Sequence, residues 1–350
     1  MTLWHEPAYA VGPQLPVRRP CKLAFVGEAP GEHEVEKLRP LVGPSGSTFN
    51  ALLRSAGIDR DACLVTNVYE HRLEENDVAK EQARMGADWA PWHAAQVERL
   101  SAEIALCQPT VIVPLGGTAL NALAQTKAIT SFRGQPMMGK GPFEKYKLLP
   151  TFHPAFILRQ WNMFPIAVGD LLRAQAEADI GMEIRWPKRE LYIDPTIEQV
   201  EAFLRLCNET NLLSCDIETG WGMIRGVSFA PNSRIGMYVP FIDLRKPSKS
   251  YWDDPAHEKR AWQAVRAILE GPTPKLGQNF ALYDSIWLLR KAGIRVANYR
   301  HDLRLLHKAL FPELNAGLAF MSSAYSNQGA WKHWGGGNVT QAERGEKRDL

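Results

Sequence analysis

The sequence has 350 residues, of which 45% are apolar and 23% charged, and its formal net charge is +3. This length allows two ordinary domains, and this composition is typical of a soluble globular protein. A charge so close to zero excludes bulk electrostatic attraction as the basis of nucleic-acid binding, which would need local basic clusters. The chain has no long uncharged apolar run and no signal-like start, so we expect no membrane partner and a cytoplasmic location.

The first half of the chain alternates strands with helices. Residues 1–20 hold four prolines and predict an irregular lead-in. Strands are predicted at 22–27, 63–66, 110–115 and 146–149. Helices are predicted at 45–56, around 93–106, near 165–178 and, as a short helix, through Leu120 and Leu123. Such alternation predicts a parallel sheet with ligand groups at the carboxyl ends of its strands. We therefore expect an α/β domain over residues 21–179.

The second half has a different order of elements. Residues 180–190 are predicted to be a linker. Helices are then predicted at 196–208, 255–270, 280–292, 301–311 and 315–324, and strands at 211–217, 222–230, 235–240 and 274–277. Three successive strands before a helix indicate a mixed sheet, so we expect an α+β domain over residues 191–350, incomplete at its C-terminus.

Polar residues and glycine-rich loops follow the strands of the first domain. The strand at 22–27 runs into the turn 27–31 (Gly-Glu-Ala-Pro-Gly), and the loop 43–46 (Gly-Pro-Ser-Gly) opens a helix. Such loops offer amide donors to a phosphate or a base. Asn67 and His153 occupy further strand ends. Each polar residue also has a structural interpretation: Asn67 as a turn cap, His153 as a satisfied core histidine and Glu28 as a helix cap.

Four segments, in this order, resemble the family 4 uracil-DNA glycosylases: 27–31 (Gly-Glu-Ala-Pro-Gly), 42–46 (Val-Gly-Pro-Ser-Gly), 66–68 (Thr-Asn-Val) and 153–155 (His-Pro-Ala). The resemblance implies that Asn67 matches the mixed edge of an extruded pyrimidine and that His153 stabilises the departing base. It also implies that Glu28 handles the attacking water. The remaining residues that it implies are Gly27, Ala29 and Leu41 for the base, and Gly43, Ser45, Gly46 and Arg159 for DNA.

The sequence departs from this family in two places. Members usually carry a phenylalanine at the position of Leu41, where the ring would stack on the base. The family's iron–sulfur cysteines are also missing, because the five cysteines are scattered and residues 69–71 (Tyr-Glu-His) stand where one is expected. We therefore expect no iron–sulfur cluster. Both departures match a subgroup in which a glycosylase-like domain heads a phage DNA polymerase.

A carboxylate pattern marks the second domain. Asp216 and Glu218 lie on one face of a strand end because strand side chains alternate, and Asp284 adds a third carboxylate at a helix start. Carboxylates on one face repel unless a cation such as Mg²⁺ or Mn²⁺ lies between them. The pattern, with Asn279, resembles the ribonuclease H-like 3′–5′ proofreading exonucleases of family A DNA polymerases. That resemblance implies that Asp216, Glu218 and Asp284 hold two metals, and that Asn279 holds the end of the first strand or contacts DNA. The structural alternative is an ordinary strand end and a helix-start charge.

The leading hypothesis is therefore the N-terminal part of a phage-type family A DNA polymerase, located in the host cytoplasm, with DNA as partner and a polymerase domain in the same native chain. Two alternatives stay open: a stand-alone uracil-removing and strand-trimming repair protein, and a non-catalytic DNA-binding module.

Exonucleases of this type also use a fourth carboxylate, four residues after a tyrosine or five after a histidine. After Asp302 the remaining aspartate is Asp349, which meets neither spacing. We therefore expect weak or no 3′–5′ degradation by residues 1–350, and we interpret the charged residues 341–350 as a linker.

Overall fold

The computed structural model describes residues 10–326, which divide into two compact units. The first unit comprises residues 10–186 together with residues 319–326, and the second comprises residues 187–318. Each unit has its own buried apolar core. Within the described residues, no helix is long and apolar enough to cross a membrane. The predicted linker character of residues 341–350 concerns residues outside the described range.

The first unit is built on a five-stranded sheet. Its strands are β1 (Leu23–Gly27), β2 (Leu64–Asn67), β3 (Val111–Pro114), β4 (Met137–Met138) and β5 (Lys147–Leu148), in the order β2-β1-β3-β5-β4. All neighbouring strands are parallel except the antiparallel pair of β4 and β5. The interior strand β1, which lies between β2 and β3, is buried along its whole length because helices cover both faces of the sheet. The predicted parallel α/β fold is confirmed.

Between residues 10 and 186 this sheet is accompanied by helices α1 (Glu32–Lys37), α2 (Gly43–Ser55), α3 (Val78–Met85), α4 (Trp89–Cys107), α5 (Gly117–Ala124), α6 (Ile129–Phe132), α7 (Pro154–Arg159) and α8 (Phe164–Ile180). Leu23 and Phe25 of β1 face a core shared with α2 and α8, whereas Ala24 and Val26 face a core shared with α4 and α5. This alternation follows from the two-residue period of a strand. The short amphipathic helix α3 was not predicted.

The second unit contains a six-stranded mixed sheet. Its strands are β6 (Glu190–Tyr192), β7 (Leu213–Gly220), β8 (Met223–Ala230), β9 (Ile235–Pro240), β10 (Lys275–Gly277) and β11 (Tyr299–Asp302), in the order β11-β10-β7-β8-β9-β6. Strands β7, β8 and β9 are antiparallel neighbours, while β10 and β11 continue the sheet parallel to β7. Three antiparallel strands extended from the first by two parallel ones are the ribonuclease H-like arrangement. The predicted fold is therefore confirmed.

The helices of the second unit are α9 (Ile197–Cys207), α10 (Pro255–Glu270), α11 (Asp284–Trp287) and α12 (Leu303–Leu310). Two predicted helices start later than expected. The one predicted at 280–292 begins at Asp284 and ends in a π-helical turn, and the one predicted at 301–311 begins after strand β11. Asp302 sets the second boundary, since its carboxylate caps the amides of Arg304 at 3.0 Å and Leu305 at 3.4 Å.

The last described helix, α13 (Leu318–Tyr325), lies within the predicted second domain of residues 191–350, but its residues from Ala319 onward belong to the first unit. Its Ser323 accepts a hydrogen bond of 2.9 Å from the buried guanidinium of Arg133. That guanidinium also pairs with Asp170, which is 1% exposed. Within the described residues, the chain therefore returns to the first unit after residue 318.

Candidate functional sites

Three strand ends of the first unit lie at one edge of its parallel sheet. Gly27 ends β1 and pairs in register with Asn67, the last residue of β2. An isolated parallel bridge between Leu115 and Thr151 continues the pairing beyond β3, and His153 follows two residues later. The structure therefore brings the predicted turn, amide and imidazole to the same edge, because parallel strands share one direction.

Asn67 is held with its side chain against Gly27. It is 4% exposed, and a Cβ atom on Gly27 would lie 2.3 Å from Asn67 Oδ1, so any other residue there would displace the Asn67 amide. The amide of Val68 donates to Gly27 O at 3.0 Å and extends the strand pairing beyond Asn67. Among the described residues none is hydrogen-bonded to the side-chain amide of Asn67. Its donor and its acceptor are therefore both available to a base.

Glu28 and His153 are both contacted by the turn that leads into α5, which the sequence did not reveal. The hydroxyl of Thr118, at the start of α5, donates to Glu28 Oε2. Two residues earlier Gly116 has φ +89°, and a Cβ atom there would lie 3.1 Å from the Cβ of His153. One glycine-rich strand-to-helix turn therefore contacts both residues. The glycine pair at 116–117 signals a turn, but no local pattern identified the hydroxyl as a partner of Glu28.

His153 is a neutral imidazole of defined tautomer. It precedes α7, and its Nδ1 accepts a hydrogen bond of 3.1 Å from the backbone amide of Ala155. Burial, together with the smaller effect of the nearby Arg159 charge, lowers the pKa of His153 to about 4. Because Nδ1 is the acceptor, we assign the proton to Nε2, which leaves one N–H donor without a positive charge.

The loop that carries Leu41 is fixed in an unusual conformation. Leu41 has φ +49° and is 3% exposed, in the same core cluster as Phe49. The guanidinium of Arg60 donates to Leu41 O at 2.9 Å and to Pro40 O at 2.6 Å. A Cβ atom on Gly46 would lie 2.2 Å from Leu41 O, so glycine is required there. Backbone held in this region is commonly associated with functional sites.

The other residues predicted for the base or for DNA are spread along this edge. Gly43 opens α2 with φ +74°, and Ser45 is half-buried in its first turn. Ala29 is partly buried against the core that β1 shares with α4 and α5, and Arg159 is exposed at the end of α7. Their contacts with a base or with DNA stay predictions.

The predicted carboxylates of the second unit lie near one another. Asp216 and Glu218 project from the same face of β7, and the buried Ile217 lies between them. Asp284 begins α11, and its Oδ1 accepts a hydrogen bond of 2.9 Å from the amide of Ile217. Desolvation, together with repulsion from Asp284 and Glu218, raises the pKa of Asp216 to about 7. Desolvation, with repulsion from Asp302 and Glu218, raises the pKa of Asp284 to about 6.

This carboxylate cluster is not compact. Within residues 10–326, no three or more His, Cys, Asp and Glu side chains are gathered closely enough to hold a metal ion. Oxygen ligands of like charge nevertheless suit a hard divalent cation, so the chemistry of the side chains fits the predicted group. The five cysteines are all buried and unpaired, and the expectation of no iron–sulfur cluster stays a prediction.

Asn279 and Asp302 lie beside this cluster. Asn279 has φ +62°, and its Oδ1 accepts a hydrogen bond of 3.0 Å from Arg304. Asp302, which sequence reasoning did not select, accepts hydrogen bonds of 3.0 Å from the amide of Asn279 and from the hydroxyl of Tyr299. Its carboxylate therefore organises the turn before α11 as well as the start of α12. The DNA contact predicted for Asn279 stays a prediction.

Comparison with known proteins agrees with the motifs of the first unit. The uracil DNA glycosylase superfamily matches residues 17–176. The type-4 uracil-DNA glycosylase of Thermotoga maritima is 38% identical over 142 residues, which cover 39% of this chain and 67% of that protein. The chain belongs to the uracil DNA glycosylase superfamily. The predicted glycosylase-like first domain is thereby confirmed.

The chain is also similar to a phage DNA polymerase in sequence and to an exoribonuclease in structure. The DNA polymerase of Bacillus phage SP01 is 25% identical over 207 residues, which cover 57% of this chain and 21% of that polymerase. The structure of Escherichia coli RNase D, an exoribonuclease involved in structured RNA processing, matches with a TM-score of 0.30 and 16% identity, covering 47% of this chain and 41% of that chain. The first of these fits the predicted resemblance of the chain to a phage DNA polymerase.

Proposed function

We propose that the glycosylase-superfamily unit recognises uracil, or a related pyrimidine, in DNA and hydrolyses the bond between base and sugar. The names of its relatives support this substrate class. The observation that carries the proposal is the state of His153, whose Nδ1 is occupied by the amide of Ala155 while Nε2–H remains a neutral donor. Such a donor stabilises an anionic leaving base as its charge develops.

Each residue then has a defined task. The Asn67 amide pairs with the donor and acceptor groups of an extruded base, and Gly27 keeps it in place. The Nε2–H of His153 donates to the base carbonyl that gains negative charge as the glycosidic bond breaks. Glu28, held by Thr118, orients the water that attacks the sugar. Leu41 offers no aromatic face, so base affinity lacks the roughly 1–3 kcal/mol that stacking supplies.

The test is uracil release from a single-stranded oligonucleotide with one deoxyuridine. Asn67→Ala and His153→Ala are each expected to lower the rate about a hundredfold, since loss of one donor to a developing anion costs on that order. Asn232→Ala and His257→Ala, in the second unit, are the matched controls. Wild-type release by either pocket variant would remove that residue from the mechanism. No release by the wild type would favour a DNA-binding module.

We further propose that the second unit is a 3′–5′ exonuclease fold in which Asp216, Glu218 and Asp284 bind Mg²⁺ or Mn²⁺. Besides desolvation, repulsion from Asp284 and Glu218 raises the pKa of Asp216, and repulsion from Asp302 and Glu218 raises the pKa of Asp284, which supports this assignment. When bound, such ions activate water and stabilise a leaving oxygen. Calorimetry with Mn²⁺ should show binding to the wild type and to Asp253→Ala, but not to Asp216→Ala. The same isotherm for both variants would contradict the assignment.

For the whole chain we propose the N-terminal part of a phage-type family A DNA polymerase, acting on DNA in the host cytoplasm. The likeness to the Bacillus phage SP01 DNA polymerase supports this proposal. A stand-alone repair protein is the alternative. The length of the native open reading frame distinguishes the two, because a polymerase requires several hundred further codons.

A further inference from the structure

Arg99 of α4 is hydrogen-bonded to the backbone at the end of β2. Its Nη2 donates to Asn67 O at 2.7 Å and to Val68 O at 2.9 Å. The Arg99 side chain is 19% exposed, so these contacts are shielded from solvent. A guanidinium presents several donors in one rigid plane, which suits it to hold two successive carbonyl groups.

A second contact closes a ring of side chains around the same strand end. Arg99 Nη1 donates to Glu103 Oε1, one helical turn further along α4. Glu103 Oε2 in turn accepts a hydrogen bond of 2.6 Å from the hydroxyl of Thr66. The ring runs from Thr66 through Glu103 and Arg99 to the carbonyl of Asn67. Charge-assisted hydrogen bonds of this kind are the stronger ones.

Neighbouring side chains of α4 hold the residues that follow. The ring of Trp92 stacks on Tyr69 with 5.2 Å between centroids and 8° between planes. Gln96 Oε1 accepts a hydrogen bond of 3.1 Å from the amide of Glu70. Residues 92, 96, 99 and 103 recur every three or four positions and so share one helix face. This face therefore contacts the chain from Thr66 to Glu70.

Asn67 is thereby fixed from two sides. Strand β1 lies on one side, where Gly27 O accepts from the amide of Val68 and the missing Cβ of Gly27 leaves room for the side chain of Asn67. Arg99 lies on the other side and holds the two carbonyl groups. With the peptide fixed at both edges, the Cα–Cβ bond of Asn67 has a fixed direction, which limits where its side-chain amide can lie.

We infer that Arg99 is a positioning residue for base recognition: by fixing the Asn67 and Val68 carbonyls it aims the Asn67 amide at the base. This inference rests on the proposed glycosylase function. Arg99 acts through Asn67 and is not assigned a contact with the base. The proposed mechanism assigns no role to Arg99, to Glu103 or to the face of α4 that contacts residues 66–70.

The test is a double-mutant cycle on single-turnover uracil release from the deoxyuridine oligonucleotide. Arg99→Met, which keeps the bulk of the side chain and removes its donors, is expected to slow release about tenfold. Arg99→Lys should restore part of that loss, and Arg54→Met on α2 is the matched control. In an Asn67→Ala background, Arg99→Met should have no further effect.

Three outcomes would overturn the inference: an unchanged rate for Arg99→Met, an equal loss in both backgrounds, or a loss matched by Arg54→Met. If the wild type releases no uracil, the proposed function fails and the inference is judged by hydrogen exchange. The amides of Val68 and Tyr69 should then exchange faster in Arg99→Met than in the wild type or Arg54→Met. Equal exchange in all three proteins would show that Arg99 does not fix this strand end.

Discussion

At Gly27 the absence of a side chain decides where Asn67 lies. A Cβ atom at this position would come within 2.3 Å of Asn67 Oδ1, well inside van der Waals contact. Gly27→Ala should therefore displace the Asn67 amide and lower uracil release by roughly as much as Asn67→Ala, because the same recognition is lost. Gly12→Ala is the control, since nothing lies within 4 Å of its added carbon. Uracil release at the wild-type rate would show that the Asn67 side-chain amide can still recognise the base from another position.

The low pKa of His153 predicts a pH dependence of stability. Its pKa is about 4 in the folded protein against an ordinary 6.5, so between these values the unfolded chain binds more protons at this residue. The His153 contribution therefore lowers the free energy of unfolding as pH falls from about 6.5 to about 4, and contributes nothing above that window. His153→Asn, whose amide oxygen can still accept from Ala155, should lose less stability over the same range.

Thermal melting of wild type and His153→Asn at pH 7 and pH 4.5 checks this prediction. Other groups titrate in this range as well, so the quantity compared is the difference between the two proteins. His153→Gln is a second variant, because its longer side chain is a weaker helix cap and separates the effect of capping from that of protonation. Identical pH dependence in all three proteins would mean that His153 titrates normally when folded.

At the scale of elements, the loop before α2 combines a rigid backbone with a small apolar side chain. Arg60 and Gly46 fix the backbone of Leu41, and its side chain is buried in the core. Leu41→Phe would supply an aromatic face, and we expect it to tighten binding of the deoxyuridine oligonucleotide up to about tenfold. The larger ring must also fit beside Phe49, so the free energy of unfolding should fall by about 1–3 kcal/mol.

Two measurements on Leu41→Phe separate these effects. Fluorescence anisotropy gives the dissociation constant for the oligonucleotide, and urea denaturation gives the free energy of unfolding. Leu41→Met, which has similar volume and no π-face, is the matched control. An unchanged dissociation constant in Leu41→Phe would tell against the absence of stacking as the limit on base affinity.

At the scale of the whole molecule, the chain leaves the first unit, forms the second and then adds α13 to the first. The contact between Arg133 and Ser323 spans 190 residues, and both side chains are 1% exposed. Ser323→Ala should lower the free energy of unfolding of the first unit by about 1–3 kcal/mol, since a buried charged donor loses its partner. Ser322→Ala, on the same helix, removes a local hydroxyl contact with Ser326 and is the control.

Chemical denaturation followed through the first unit gives these energies. If Ser323→Ala and Ser322→Ala are equally stable, α13 adds little to the first unit. A large loss in Ser323→Ala alone would mean that the first unit depends on residues beyond the second. A fragment of residues 1–186 would then be a poor substitute for the full chain in glycosylase assays.

The sequence by itself determined the central strands and the chemistry at their ends. The run Leu23 to Val26 is apolar at every position because helices cover both sheet faces, and that pattern is readable from neighbours in the chain. The same holds for Asp216 and Glu218, whose two-residue spacing alone places them on one face of β7. The glycine-rich turns were also readable, since few residues other than glycine accept their backbone angles or close contacts.

Only the tertiary structure decided which side chains hold these residues in place. Arg99 reaches Asn67 across 32 residues of sequence, and Thr118 reaches Glu28 across 90. Tertiary structure also decided strands β6 and β11 and the return of α13 to the first unit. In each case the partner segment lies far away in the sequence. A local pattern reports periodicity and turn chemistry within a few residues. Contacts between distant segments depend instead on how the completed elements pack.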